Sequence, residues 1–513
     1  LTWNHKFGKH NVDALLGHEW FKTTFYYLYG SKSSMFDRGN EELAGAIIKG
    51  NANSYTTEYN NEGWIFRGQY DYDSKYFFSG SFRRDASSRF HPNHRWGNFW
   101  SLGGAWIISK ESFLQDVTWL DMLKVKVSYG EQGNDNIGNF RYTNTYNIVN
   151  SNNMPGATPD SMGNEDITWE KNGNFNAGVE FSMFNGRFTG NIEAFYRKTS
   201  DMLMFFPLPS SFGYTGYYDN IGDMKNTGVE IELGGTPIKT RNFKWDVNFN
   251  MTWYKNRISK LPEDRKGQKG YIFKDDFKLD PAYGYSSGNY FYGEGESMYS
   301  FYTYKYAGVN KENGKALYYK NVYNKDGDVI GTETTDDYTK ASRYIVGTAL
   351  APVYGGFSTS FAYRDFDLSL AFNYQIGGKV YDSGYAQLMG TPYDSSKGGN
   401  IHSDMLNAWS PENPDSDIPR NMFGQQYTNA TSDRFITDAS YLSLENINFG
   451  YTLPTKLVRK AYLSKVRVYL ACDNVWVWSK RQGLDPRQSF TGGNNNTYYA
   501  PIRTISGGLT VEF

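Results

Sequence analysis

The sequence predicts an all-β fold, a transmembrane antiparallel β-barrel. Three observations predict it: apolar and polar residues alternate strictly over many segments, short turns alternate with long loops, and aromatic residues make up 18% of the chain. In a strand, successive side chains point to opposite faces, so alternation gives one apolar and one polar face. A membrane barrel needs just that division, with lipid outside, a polar lumen inside and aromatic girdles at both interfaces.

The elements follow in order. Alternating segments run over 1–7, 11–29, 64–72, 76–85, 98–109, 122–130, 169–184 and 188–205. Seven more run over 222–237, 243–261, 353–363, 366–380, 441–452, 465–478 and 505–513, for about fifteen strands. The clearest places Phe243, Trp245, Val247, Phe249, Met251 and Trp253 on one face, against Lys244, Asp246, Asn248, Asn250 and Thr252. Phe366, Leu368, Leu370, Phe372, Tyr374 and Ile376 repeat it, and Ile505, Gly507, Leu509, Val511 and Phe513 close the chain.

Connections carry the topology. Gly8-Lys9-His10, Tyr72-Asp73-Ser74, Asn185-Gly186, Thr240-Arg241 and Arg364-Asp365 are hairpin turns, Asn-Gly being a favoured two-residue type. Between them lie long loops at 30–63, 131–168, 206–221, 262–352, 381–440 and 479–504, well beyond ordinary loop lengths. Long loops on one side and short turns on the other is the outer-membrane arrangement. Trp64, Trp96, Trp100, Trp106, Trp245, Trp253, Trp476 and Trp478 fall in or near strand ends, where indoles bridge lipid and water. A soluble sandwich would bury such aromatics, but it leaves the one-sided loops unexplained.

With short turns periplasmic, the first strand descends and the fifteenth ends at the periplasmic side with Phe513. Single-chain bacterial barrels have even strand numbers, so an odd number is expected upstream; a 22-stranded barrel with a plugged lumen needs about seven more strands. The start Leu1-Thr2-Trp3-Asn4, without Met or a signal-like segment, reads as the interior of a longer chain. The N-terminal plug is therefore not expected within these 513 residues.

Composition removes other classes. With 53 Lys+Arg against 54 Asp+Glu there is no basic footprint for nucleic acid, and the lone Cys472 forms neither a disulfide framework nor a cysteine zinc site. No apolar run reaches the ~18 residues of a membrane helix, a test to which strands are blind.

Several stretches resemble one family. They are Gly8-Lys9-His10-Asn11 running to Ala14-Leu15-Leu16-Gly17-His18-Glu19, Leu123-Lys124-Val125-Lys126-Val127-Ser128-Tyr129-Gly130 with Gly133-Asn134-Asp135, and Thr168-Trp169-Glu170-Lys171. Then come Pro207-Leu208-Pro209-Ser210-Ser211, Asn220-Ile221-Gly222, Asn226-Thr227-Gly228-Val229-Glu230 and Tyr354-Gly355-Gly356-Phe357. The C-terminal blocks are Asp438-Ala439-Ser440-Tyr441-Leu442, Gly450-Tyr451-Thr452-Leu453-Pro454, Asp473-Asn474 and Gly483-Leu484-Asp485-Pro486. In this order they resemble the SusC-like TonB-dependent outer-membrane transporters and are similar to RagA-type peptide importers. The resemblance implies the C-terminal part of the barrel of an active importer of oligomeric nutrients. Its cargo would be oligosaccharides, with peptides as the alternative, captured under a SusD-like surface lipoprotein. TonB would act through the N-terminal region, and two transporter–lipoprotein pairs could form a dimer. No cofactor and no covalent chemistry are implied.

The residues themselves offer little for catalysis. Of six histidines only His91-x-x-His94 has a metal-like spacing, and no cluster of further ligands accompanies it. Asn324-Lys325-Asp326-Gly327-Asp328 lacks the later acidic ligand of a calcium loop and reads as a hairpin turn. Gly293-Glu294-Gly295-Glu296 lacks the strand and helix of a nucleotide loop. A barrel hydrolase would need Ser, His and acid, and no Gly-x-Ser-x-Gly elbow is present. A passive porin or adhesin shares the strand pattern and is disfavoured by the family blocks and the long loops.

Substrate contact is expected from loop aromatics beside hydrogen-bonding groups. Tyr214, Tyr217, Tyr218, Asp219 and Asn220 lie within one short stretch, and loop 381–440 adds Tyr385, Tyr393, Trp409 and Tyr427. Loop packing or lid contact is the alternative role for each. Loop carboxylates could equally favour peptides or hold calcium. Phe513, the aromatic end of an alternating strand, resembles the membrane-insertion signal of barrel proteins and is also a girdle residue.

Overall fold

A computed structural model of the chain describes all residues except 37, 38, 40, 209, 221, 262–284, 326–328, 391–399, 423–427, 482 and 494–499. Fifteen strands follow one another in chain order in a single sheet. They are Thr2–Phe7, His10–Met35, Ala46–Tyr72, Tyr76–Ser87, Trp96–Ile107, Leu120–Asn134, Glu170–Met183, Phe188–Ser200, Asp223–Lys239, Phe243–Lys260, Val353–Tyr363, Phe366–Ile376, Tyr441–Thr452, Lys465–Ser479 and Thr504–Glu512. All fifteen expected strands are present. The short turns sit in left-handed backbone, at Gly8, at Asp73 and Ser74, at Asn185 and Gly186, and at Arg364.

One compact unit comprises Leu1–Trp106, Lys126–Phe175 and Arg197–Asp223. Within it, Trp3 opposes Ala14 and His5 opposes Val12, Leu16 opposes Phe66, Trp64 opposes Arg84 and Phe82 opposes Trp100. One face thus carries Trp3, Leu16, Phe66, Phe78, Phe82 and Leu102, all exposed. The other carries Asn4 and Asp13, which hydrogen-bond each other, and Asn11, which donates to Asp71 at 3.0 Å.

Here the structure corrects the expected loop at 30–63. The second and third strands, 26 and 27 residues long, pair nearly to their ends and leave only 36–45 as connection. From His10 to His18 an arm covers about 21 Å of height at a usual tilt, most of the ~25 Å apolar band of an outer-membrane barrel. The remainder, 20–35 paired with 46–62, continues as a ribbon past Asn61 and Ser87, where pairing with the next strand ends. Beyond Tyr29 the apolar alternation is lost, but Thr23, Thr24, Phe25, Tyr26 and Tyr27 against Tyr55, Thr56 and Thr57 keep strand propensity and cross-strand pairing.

The loops of this unit form small hairpins, Tyr146–Ser151 with Met154–Pro159 and Leu203–Pro207 with Gly216–Asn220. Between them and the sheet lies a core of Phe90, Phe99, Ile137, Ile167 and Trp169, lined by Tyr142, Leu203 and Tyr218.

The other unit comprises Ile107–Val125, Asn176–Tyr196 and Met224–Phe513. Its strands keep the predicted faces. Trp245 opposes Phe361 and Phe357 stacks on Phe372 at 4.4 Å on the apolar side, while Asp367, Asn448 and Arg467 join by hydrogen bonds on the polar side. The expected loops 262–352 and 381–440 are folded where described. One sheet holds Tyr285–Ser287, Tyr290–Tyr292, Ser300–Tyr304 and Arg343–Thr348, and another holds Tyr306–Val309, Ala316–Tyr323 and Val329–Thr335. Their core is Tyr304, Ala316, Tyr318 and Ala341, with Tyr306, Tyr338 and Ala430 against it. Loop 381–440 adds the helix Ser383–Leu388, capped by Asp382, and a core of Ala386, Met389, Met405 and Phe435. Tyrosine-rich segments without membrane-like periodicity read as loop, yet tyrosine buries a large ring and keeps a polar handle, so it builds small cores.

Candidate functional site

In the first unit the five candidates of the stretch 214–220 fall on one hairpin and its approach. Tyr217 opposes Phe206 and Tyr218 opposes Phe205, with ring centroids 5.7 and 5.2 Å apart. Tyr218 also lies under the Arg141 guanidinium, 4.9 Å from its ring. Asp219 accepts from Asn164 Nδ2 at 2.9 Å. Asn220 has all of its amide engaged: Oδ1 accepts from Thr168 N at 2.7 Å, and Nδ2 donates to the carbonyls of Thr168 and Asp201 at 2.8 and 2.9 Å. Thr168 and Trp169 in turn donate to the carbonyls of His94 and Arg95, at 2.8 Å each. These bonds brace the loop bases, which gives the blocks around Thr168 and Asn220 a structural meaning. Tyr214 is half-buried like its neighbours, and the Tyr146 hydroxyl beside it holds its phenol above the usual range.

Pattern reading missed a second set. On the polar face of the projecting ribbon lie Phe21, Phe25, Tyr27, Tyr29, Tyr55 and Tyr59, fixed there by the register. Phe21 meets Tyr59 at 6.3 Å, Phe25 meets Tyr55 at 6.2 Å and Tyr27 stacks on Tyr55 at 4.9 Å. At the foot of this ladder the Arg89 guanidinium stands 4.5 Å over the Tyr59 ring. The Asp135 carboxylate there accepts from Tyr59 at 2.9 Å and from Ser87 at 2.6 Å. The signal was present as aromatics at alternate positions 21, 25, 27, 29, 55 and 59, but Trp20, Tyr26 and Leu28 on the other face obscured it. Exposed rings beside oriented polar groups can stack on flat apolar faces and hydrogen-bond hydroxyls or amides.

In the second unit Trp409 donates through Nε1 to the Lys311 carbonyl at 3.2 Å. A side chain at Gly314 would strike its ring, so close packing fixes the indole. Tyr385 donates to Asp404 at 2.8 Å and lies under Arg481, 4.0 Å away. Tyr427 and Tyr393 lie outside the described residues, as do Asp326, Gly327 and Asp328. Tyr306 donates to the Asp417 carbonyl at 2.8 Å, and burial pushes its phenol up to about 12. Burial likewise raises the Asp433 carboxyl, which accepts from Tyr306 N at 2.7 Å. This cluster is closed and holds the loops together. The Asp485 carboxylate caps Arg487 N at 3.0 Å and grips its guanidinium, which also bonds Glu445 at 2.8 Å. His91 packs on Tyr142 and His94 faces Asp166 at 3.5 Å, both as parts of loop packing. Phe513 is 94% exposed just beyond the last strand.

The model of the family described as "TonB dependent receptor-like, beta-barrel" matches residues 1–381. The chain belongs to this family. TonB-dependent receptor P3 of Formosa agariphila is 29% identical across 100% of the chain and 52% of the relative. TonB-dependent receptor SusC of Bacteroides thetaiotaomicron is 30% identical across 90% of the chain and 44% of the relative. A solved structure described as the RagAB peptide transporter is 27% identical, with a TM-score of 0.85 over 100% of this chain and 54% of that one. The chain spans about half the length of the curated relatives it matches. Family membership places it in the outer membrane and fixes the apolar face as the lipid face and the polar face as the lumen side.

Proposed function

We propose that this TonB-dependent receptor barrel imports oligosaccharides across the outer membrane, together with a SusD-like surface lipoprotein that closes over it. TonB would supply the energy through the N-terminal region of the whole protein, and pairs of transporter and lipoprotein would assemble as dimers. The observation that carries the sugar reading is the aromatic ladder of Phe21 on half-buried Tyr59 and of Phe25, Tyr55 and Tyr27 above it, with Phe21, Phe25, Tyr55 and Tyr27 exposed on the polar face of the ribbon. Pyranose faces stack on such rings and their hydroxyls bond the polar edge. Tyr214, Tyr217, Tyr218 and Asp219 would extend this surface within the same unit, with Asn220 holding it in shape, and Trp409 would contact cargo from the second unit.

Peptide import is the second reading, supported by the likeness to the RagAB peptide transporter and by the charged pair Arg89 and Asp135 at the foot of the ladder. Replacing Phe25, Tyr27 and Tyr55 together with Ala is expected to lower uptake of the cargo while leaving the amount of barrel in the outer membrane unchanged. Uptake equal to that of the parent protein would remove the ladder from the site. Purification in mild detergent should retain a surface lipoprotein in equal amount, and its consistent absence would contradict the partnered mechanism.

A further inference from the structure

Two consecutive arginines in the strand Tyr76–Ser87 are treated in opposite ways. Arg83 faces the lumen side and is neutralised, with Nε bonded to both Asp85 oxygens at 2.7 and 2.6 Å and Nη2 3.5 Å from Glu19. Arg84 faces lipid. Among the described residues it forms no ion pair, and its contact is the Trp96 ring, 5.0 Å away. Trp64 lies directly opposite it across the neighbouring strand.

Its depth explains how a cation survives there. The row Tyr72, Tyr76 and Trp106, with centroids 6.4 and 6.2 Å apart, marks one edge of the lipid face. Counting from Tyr76 to Arg84 gives about 21 Å of height at the usual tilt, most of the ~25 Å apolar band, and the long side chain reaches the rest of the way to the interface. Exposed Phe66, Phe78, Phe82 and Leu102 fill the interval. Arg84 therefore stands at the headgroup level of the outer leaflet, between two indoles. The carboxylate on the same face, Glu62, is engaged by His18 Nε2 at 3.1 Å, and His18 rests on Trp64 at 4.3 Å. A guanidinium stacked on an indole keeps its donor edge open, and that edge fits two phosphate oxygens.

We propose that Arg84, seated between Trp64 and Trp96, binds the phosphate of an outer-leaflet lipid headgroup. The ligand class is a phosphate monoester carried on a lipid, whose acyl chains lie along Phe82, Phe66 and Leu102. A free phosphate shares the chemistry but lacks the apolar contacts.

Native mass spectrometry of the purified protein in detergent tests this, with phosphatidic acid, phosphatidylcholine and inorganic phosphate as separate probes. The expected result is retention of phosphatidic acid over phosphatidylcholine, with affinity lowered about tenfold or more in Arg84→Gln through loss of the charge-assisted bonds. Trp96→Ala should weaken it less. Undiminished phosphatidic acid binding by folded Arg84→Gln would overturn the proposal, and so would displacement of the lipid by an equal concentration of inorganic phosphate. Folding is read from heat-modifiable mobility. If Arg84→Gln fails to assemble, Arg84→Lys decides: reduced retention of phosphatidic acid supports the fork-like contact, and wild-type retention overturns it.

Discussion

Replacing Asn220 with Ala isolates the brace that holds the hairpin Leu203–Pro207 and Gly216–Asn220 against the loop base. Three hydrogen bonds are lost, at 2.7, 2.8 and 2.9 Å, and with them the link from Asp201 to Thr168. A net ~0.5–1.5 kcal/mol for each bond gives up to about 4 kcal/mol. Asn220 is only half-buried, so water replaces part of this and about 2 kcal/mol remains as local destabilisation. At 1.4 kcal/mol per tenfold, the Thr168 amide should exchange roughly 30-fold faster. Hydrogen exchange read by mass spectrometry over 164–170, 201–206 and 216–220 measures this directly. Asn220→Asp should behave no better, because a carboxylate faces two carbonyl oxygens in place of an amide donor. Exchange unchanged at Thr168, or raised equally in every strand of the sheet, would refute the bracing role and return Asn220 to direct cargo contact alone.

Deleting Phe513 should lower the amount of assembled barrel in the outer membrane, and unchanged yield and heat-modifiable mobility would contradict its role as an insertion signal. Tyr306→Phe removes the bond to the Asp417 carbonyl and should cost the loop domain about 1 kcal/mol. Burial raises the folded phenol to about 12 from 10.0, so this group's stabilisation is complete below pH 10 and is lost as pH rises through 12. Proteolysis of segment 300–348 should therefore accelerate above pH 10 less steeply in Tyr306→Phe than in the parent, and superimposable profiles would count against it. Arg487→Met leaves the carboxylates of Asp485, buried, and Glu445 without their cation, and should destabilise the final loop by about 3 kcal/mol, read as earlier proteolysis near 484–488.

The membrane wall was legible because lipid enforces a period of two: Phe243 to Trp253 and Phe366 to Ile376 lie on the faces the alternation assigned. The strand over 20–29 was legible too, but its continuation 30–35 and its partner 46–62 were not, because outside the bilayer both faces meet water and the apolar signal weakens while the backbone pairing persists. The same holds for the tyrosine core around Tyr318, whose members are spread over several short strands and turns between 304 and 341 with Ala430 added from a later loop. Asn220 carries side-chain chemistry suited equally to a sugar and to a peptide backbone, and only the positions of Thr168 and Asp201 reveal the brace. Arg84 differs from Arg83 by one place in the strand, so alternation gives its face, but its isolation from carboxylates needs the three-dimensional neighbours.

The proposed import rests on sugar being taken up by the exposed rings of the ribbon on its way into the barrel. Its most direct test is tryptophan and tyrosine fluorescence titration of the purified protein with neutral hexose oligosaccharides of graded length, beside unstructured peptides of matching mass. Saturable quenching by oligosaccharides is expected, tightening with chain length and disappearing when Phe25, Tyr27 and Tyr55 are all replaced with Ala. Saturation by the peptides alone, or sugar binding untouched by those replacements, would contradict it.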